Sequence, residues 1–186
     1  MRAAIVLLAD YKTQNLARRM AVELEQGYQV AFMASLLPAH ISLKQPFAFE
    51  DMGKLEGYFD SLAAETAPVQ ITLEEIYCSD WLGYGILGMT VKETSALRDL
   101  HNRLNRELSR LFKDTSAPHD GDEYRFHLTI EMGETEEFIN PYRTYFESLV
   151  TTRLDSTFLA EYAAIFYYPG EDLQSFINYK ILPLTG

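Results

Sequence analysis

Apolar positions alternate with polar ones at period two in some stretches of the chain and recur every three to four residues in others. The switches between these rhythms mark out its elements. RAAIVLLAD reads as a buried strand, and TQNLARRMAVELEQGY carries Leu16, Met20 and Leu24 at helical spacing with Gly27 as a stop. A strand follows over PAHISLKQPF, closed by Pro46, and EDMGKLEGYFDSLAAETAP then places Met52, Leu55, Phe59 and Leu62 on one helical stripe ending before Pro68. VQITLEEIY and YGILGMTV pair as a hairpin across CSDWLG. Leu97, Leu100, Leu104, Leu108 and Leu111 define an amphipathic helix from Ser95 to Phe112, and KDTSAPHDGDEY reads as a surface loop leading into RFHLTIEMG. Asn140 and Pro141 are expected as the N-cap and first residue of a helix, with TFLAEYAAIFYY and FINYKILPL as two closing strands. Antiparallel strands interleaved with helices favour an α+β fold over a doubly wound parallel sheet.

Two of these strands carry chemistry on their polar faces. In PAHISLKQPF, strand alternation puts Ile41 and Leu43 on one face and His40, Ser42 and Lys44 on the other. In RFHLTIEM it puts Phe126, Leu128 and Ile130 on one face and Arg125, His127, Thr129 and Glu131 on the other. Both read apolar, His, apolar, Ser or Thr, apolar, and each sits between two expected helices. No other identity joins the two halves, so this is an internal echo and not a demonstrated repeat.

A histidine and a hydroxyl two residues apart stand about 7 Å from one another along a strand. Two such strands facing one cleft would offer two imidazoles and two hydroxyls. Histidine titrates near neutral pH, so a neutral ring can take a proton while a charged one gives one, which suits phosphoryl chemistry. A lone strand histidine is more often structural; the matched pair is what favours a site.

Size and charge narrow the picture. A chain of 186 residues without low-complexity tracts is expected to form a single unit over 1–186. Its formal net charge of -11 disfavours extended, sequence-independent binding to nucleic acid, while leaving room for local capture of a small anion. No apolar run reaches membrane-spanning length, and MRAAIVLLADYKTQ reads as an opening strand, so no membrane association is expected. Cys78 stands alone, which excludes an intrachain disulfide and fits a cytoplasmic location. His101 is expected at the edge of the long helix's apolar stripe or on the surface, and His119 in a surface turn. HDGDE has no recognised metal-ligand spacing, so neither a metal nor another cofactor is expected.

At HISL, residues 40–43, and HLTI, residues 127–130, the sequence resembles the 2H phosphoesterase superfamily, which includes the 2′-5′ RNA ligase and cyclic nucleotide phosphodiesterase families. Members often have Pro directly before each histidine, where this chain has Ala39 and Phe126. The resemblance implies a bilobal α+β fold with approximate two-fold symmetry, each antiparallel lobe giving one motif strand to a central cleft. It further implies His40 and His127 as paired acid and base, with Ser42 and Thr129 holding phosphate oxygens. Lys44 and Arg125, on the same expected faces, are added as candidates to neutralise a bound phosphate.

The expected activity is metal-independent opening of a 2′,3′-cyclic phosphate, or cleavage of a related phosphodiester, on a nucleotide or RNA end. The reverse reaction would be 2′-5′ RNA ligation. The alternative is a binding protein that holds a nucleotide or RNA end in the same cleft without turning it over, with Trp81, Tyr84 or Phe47 stacking a base.

Overall fold

The computed structural model describes residues 1–28, 37–81, 83–149, 154, 156–169 and 176–186. These form, in chain order, β1 (Arg2–Leu8), α1 (Tyr11–Tyr28), β2 (His40–Ala48), α2 (Met52–Glu65), β3 (Val69–Trp81), β4 (Tyr84–Val91), α3 (Ser95–Leu111), β5 (His127–Glu134), α4 (Thr135–Leu149), β6 (Ser156–Ala160), β7 (Tyr162–Tyr168) and β8 (Ile177–Pro183). The fold is α+β, and its strands make one antiparallel sheet in the order β6-β3-β4-β5-β2-β1-β7-β8.

The order falls into two four-stranded halves that meet at the two motif strands. β5 ends one half, β2 ends the other, and a single registered pair, Ile41 opposite Leu128, joins them. Helices close the seam that the sparse pairing leaves. α1, which follows β1, packs across onto β5, and α3, which follows β4, packs across onto β2. The apolar stripes read from the sequence are buried here: Met20 and Leu24 of α1, Leu55, Phe59 and Leu62 of α2, and Leu97, Leu100, Leu104 and Leu108 of α3. They share one core with Ile41, Leu43, Leu128 and Ile130 from the motif strands. Asp51 and Thr94 cap α2 and α3 by accepting from the Lys54 and Leu97 amides at 3.0 and 3.2 Å, satisfying donors that a helix start leaves open.

Several boundaries differ from the sequence reading. α1 runs through Gly27 to Tyr28, so that glycine is no stop. β2 continues past Pro46 to Ala48, because Pro46 falls in an irregularity where Lys44 pairs with Ile5 and Phe47 with Ala3, and no ladder donor is required of it. β3 extends to Trp81, so its hairpin with β4 turns tightly at Gly83, which has φ +85°. TFLAEYAAIFYY is not one strand but two, β6 beside β3 and β7 beside β1, with Glu161 alone between them. One residue can pass between opposite halves only if the sheet is curled. Pro141 is not the first residue of α4 but lies inside it; the helix starts directly after β5, its first turns held by buried Phe138 and Ile139.

Candidate active site

The single pair between β2 and β5 fixes the geometry of the motif residues. With Ile41 opposite Leu128 in an antiparallel ladder, His40 falls opposite Thr129 and Ser42 opposite His127. Directly opposed residues share a face, so these four side chains form a two-by-two array on one side of the sheet, while Ile41 and Leu128 point into the core on the other. Each histidine faces the other strand's hydroxyl. The histidines are diagonal neighbours, a relation that separates Cα atoms by about 7–8 Å. All four side chains are half-buried.

Both imidazoles are held in the same way. Nδ1 of His40 donates to the Pro38 carbonyl at 2.9 Å, and Nδ1 of His127 donates to the Arg125 carbonyl at 2.9 Å. A carbonyl only accepts, so each neutral ring carries its proton on Nδ1 and presents Nε2 as the atom for proton exchange. His40 lies edge-on to Phe166 at 4.7 Å between centroids, while His127 lies edge-on to Tyr77 at 6.4 Å and tilted to Tyr124 at 6.2 Å. Burial pushes the His40 imidazole from 6.5 down to about 4; the Pro38 hydrogen bond opposes this, and the charge of His127 adds to it. Burial also lowers His127, against the Arg125 hydrogen bond. Both rings therefore favour the neutral form at pH 7. A phosphate anion between them would restore the proton to one, since an opposite charge favours imidazolium.

The backbone before each histidine is clamped from a helix that crosses the seam. Gln14 of α1 donates to the Ala39 carbonyl at 2.8 Å and accepts from the Ala39 amide at 2.7 Å. Arg98 of α3 donates to the Tyr124 carbonyl and, at 2.6 Å, to the Gly121 carbonyl. Neither residue was singled out by the sequence, where a glutamine and an arginine in helices look like solvated positions.

Lys44 departs from its expected place. Along β2, Ser42 pairs with Val6 but Lys44 pairs with Ile5, a shift of one residue that marks a bulge. The same shift occurs in β5, where Thr129 pairs with Gly88 but Glu131 with Leu87. An extra residue at this point breaks the alternation, so Leu43 and Lys44 are both buried, as are Ile130 and Glu131. The Lys44 ammonium does not join the array of His40 and Ser42; it is 1% exposed and ion-paired with Asp120. Arg125 precedes β5 and is exposed beside His127, where its carbonyl orients that ring.

His101 also differs from expectation, since it is fully buried. Its Nδ1 donates to the Leu43 carbonyl at 2.7 Å, its Nε2 accepts from the Gly121 amide at 3.0 Å, and its ring stacks on Tyr124 at 4.7 Å. Burial lowers its affinity for a proton, consistent with a neutral ring that ties the bulge to the loop before β5. His119 is exposed in that loop with φ +62°. Of the suggested stacking aromatics, Phe47 is in the core and Tyr84 lies at the far end of the β3–β4 hairpin, six positions from Thr90, which is opposite His127. The side chain of Trp81 lies outside the described residues. Among the described residues no cluster of His, Cys, Asp and Glu is arranged to hold a metal ion, and no helix is long and apolar enough to cross a membrane.

The family model of the 2′-5′ RNA ligase superfamily matches residues 14–164, a span that contains both motif strands. The chain belongs to this superfamily. Among solved structures it is similar to TT0787 of Thermus thermophilus, with a TM-score of 0.67 at 12% identity over 100% of this chain and 99% of that one. It is also similar to E. coli LigT complexed with 3′-AMP, with a TM-score of 0.57 at 15% identity over 100% and 98%. Usb1 of Kluyveromyces marxianus follows with a TM-score of 0.53 at 13% identity over 98% and 97%. At these identities the likeness is one of fold. No curated protein matches the sequence.

Proposed function

We propose that the protein is a metal-independent phosphoesterase that opens a 2′,3′-cyclic phosphate, or cleaves a related phosphodiester, on a nucleotide or RNA end. The observation that carries this reading is the matched pair of histidines, each with Nδ1 tied to a carbonyl two residues upstream and each opposite a hydroxyl of the other strand. Structures of E. coli LigT with 3′-AMP and with phosphate support a nucleotide phosphate as the ligand class. One Nε2 takes a proton from water as its oxygen attacks phosphorus; the other ring, protonated in the presence of the anion, gives its proton to the departing ribose oxygen. The product is a phosphomonoester. Ser42 and Thr129 donate to the non-bridging oxygens, and exposed Arg125 supplies positive charge at the rim. A ribose hydroxyl in place of water would run the same chemistry as 2′-5′ ligation.

The test is turnover of nucleoside 2′,3′-cyclic phosphates in chelator by wild type, His40→Ala and His127→Ala. Each substitution is expected to lower the rate by about 10²- to 10⁴-fold. Activity surviving both changes, or abolished by chelator in the wild type, would reject the assignment.

A further inference from the structure

We propose that the Tyr77 hydroxyl is a further phosphate-oxygen donor on the Thr129 side of the site, and that Gly88 is the residue that lets it lie there. The inference rests on the phosphoesterase reading of the same site and adds a residue from a strand that carries no motif. Register places it. Tyr77 of β3 pairs with Gly88 of β4, Gly88 pairs with Thr129 of β5, and Thr129 falls opposite His40 of β2, so one row across the sheet reads Tyr77, Gly88, Thr129, His40.

A side chain in the Gly88 position would stand between Tyr77 and Thr129. A Cβ built there would lie 2.8 Å from Cε1, Cζ and the hydroxyl oxygen of Tyr77, closer than real Cβ contacts come. The ring and its hydroxyl therefore lie over Gly88, the residue paired with Thr129 of β5. The same ring is edge-on to His127 at 6.4 Å. A nearby hydroxyl, that of Tyr124, is already engaged on the Ser42 side by Gln45, whose Nε2 donates to it at 3.1 Å. The two tyrosines thus lie against His127 in different settings, Tyr124 buried and hydrogen-bonded by Gln45, Tyr77 half-buried over Gly88.

Chemistry favours a donor role over a proton-transfer role. Burial raises the Tyr77 phenol above its ordinary value, so it stays protonated wherever the histidines titrate. A neutral O–H aimed at a phosphate oxygen stabilises the negative charge that builds there as water attacks, without adding a charge whose desolvation the fold would have to offset.

Tyr77→Phe removes the oxygen and keeps the ring over Gly88, so the fold and its urea midpoint should be retained. Calorimetric affinity for adenosine 3′-monophosphate and kcat/KM for adenosine 2′,3′-cyclic phosphate are each expected to fall about ten- to a hundred-fold, the range for one hydrogen bond to a charged group. Binding and turnover equal to the wild type would overturn the inference while leaving the phosphoesterase reading intact. A wild type that binds the monophosphate through Tyr77 but opens no cyclic phosphate would sustain the inference and reject the activity. Incorporation of 3-fluorotyrosine at position 77 gives a second readout in the otherwise native chain: its ¹⁹F resonance should move on titration with inorganic phosphate, and an unmoved resonance at saturation would count against the contact.

Discussion

His40 and His127 are held by the same hydrogen bond in the two halves of the sheet: each Nδ1 donates at 2.9 Å to a carbonyl two residues earlier, of Pro38 in one case and Arg125 in the other. The bond fixes the tautomer, and with the sparse seam between β2 and β5 it fixes what the two strands present to one another. The consequences extend to stability, because rings kept neutral by burial are sensitive to acid.

Burial takes His40 from 6.5 to about 4. Within that window the unfolded chain binds a proton that the folded chain refuses, so stability rises with pH through it and is lost as pH falls from 6.5 toward 4. His127 is lowered in the same direction and adds to the loss. For a half-buried ring the His40 contribution is expected at about 1–3 kcal/mol. Urea unfolding of wild type and His40→Gln at pH 7 and pH 4.5 measures it. The variant should lose less stability between the two pH values by that amount; an identical pH dependence would exclude the linkage.

The hydroxyls opposite the histidines should matter for phosphate and little for the fold. Ser42→Ala and Thr129→Val remove half-buried oxygens, and Val keeps the shape of Thr. Each is expected to lower kcat/KM about 10- to 100-fold, the worth of one hydrogen bond to a charged group, while the urea midpoint stays close to wild type. A variant that lost stability in proportion to activity would show that the hydroxyl serves the sheet and not the ligand.

What the sequence revealed follows from what period-two alternation records. HISL and HLTI disclose which residues share a face as long as the ladder is regular, and up to Ser42 and Thr129 it is. Beyond them a single inserted residue in each strand, at the same point of both motifs, turns Lys44 and Glu131 inward, and nothing in the side-chain pattern marks a bulge. His101 looked like the edge of a helical stripe because its partners, the Leu43 carbonyl and the Gly121 amide, are backbone groups with no sequence signature. The division of TFLAEYAAIFYY at Glu161 was illegible for a related reason: buried strands in both halves are apolar, and the chain changes halves without changing composition. Tyr77 enters the site only through the register of three strands, which no local reading supplies.

The buried ion pair of Lys44 and Asp120 gives a double-mutant test of the corrected placement. Their side chains are 1% and 10% exposed. Asp120→Ala strands an ammonium in the interior and is expected to cost about 3–5 kcal/mol, whereas Lys44→Met with Asp120→Ala, which removes both charges, should recover most of that. Urea unfolding of the two single variants and the double variant closes the cycle. The double variant should also keep kcat/KM within a few-fold of wild type; a large loss in a stable double variant would return Lys44 to the phosphate.

Packing behind β5 makes the last prediction. Gly133 of β5 pairs with Gly85 of β4, and the start of α4 sits in the hollow they leave. A Cβ at Gly133 would fall 2.0 Å from Cδ2 and 2.4 Å from Cγ of buried Phe138, far inside contact distance, and one at Gly85 would lie 3.1 Å from the Ile139 backbone. Gly133→Ala must therefore displace a ring stacked on Tyr142 at 6.0 Å, at a cost of about 1–3 kcal/mol for overpacking. Gly85→Ala should cost less, because its contacts ask the neighbour to give by only a few tenths of an ångström. If the Phe138 ring is the obstacle, the penalty of Gly133→Ala should shrink in a Phe138→Ala background, so that the double variant is more stable than the two separate losses predict; strict additivity in thermal or urea unfolding would place the strain elsewhere.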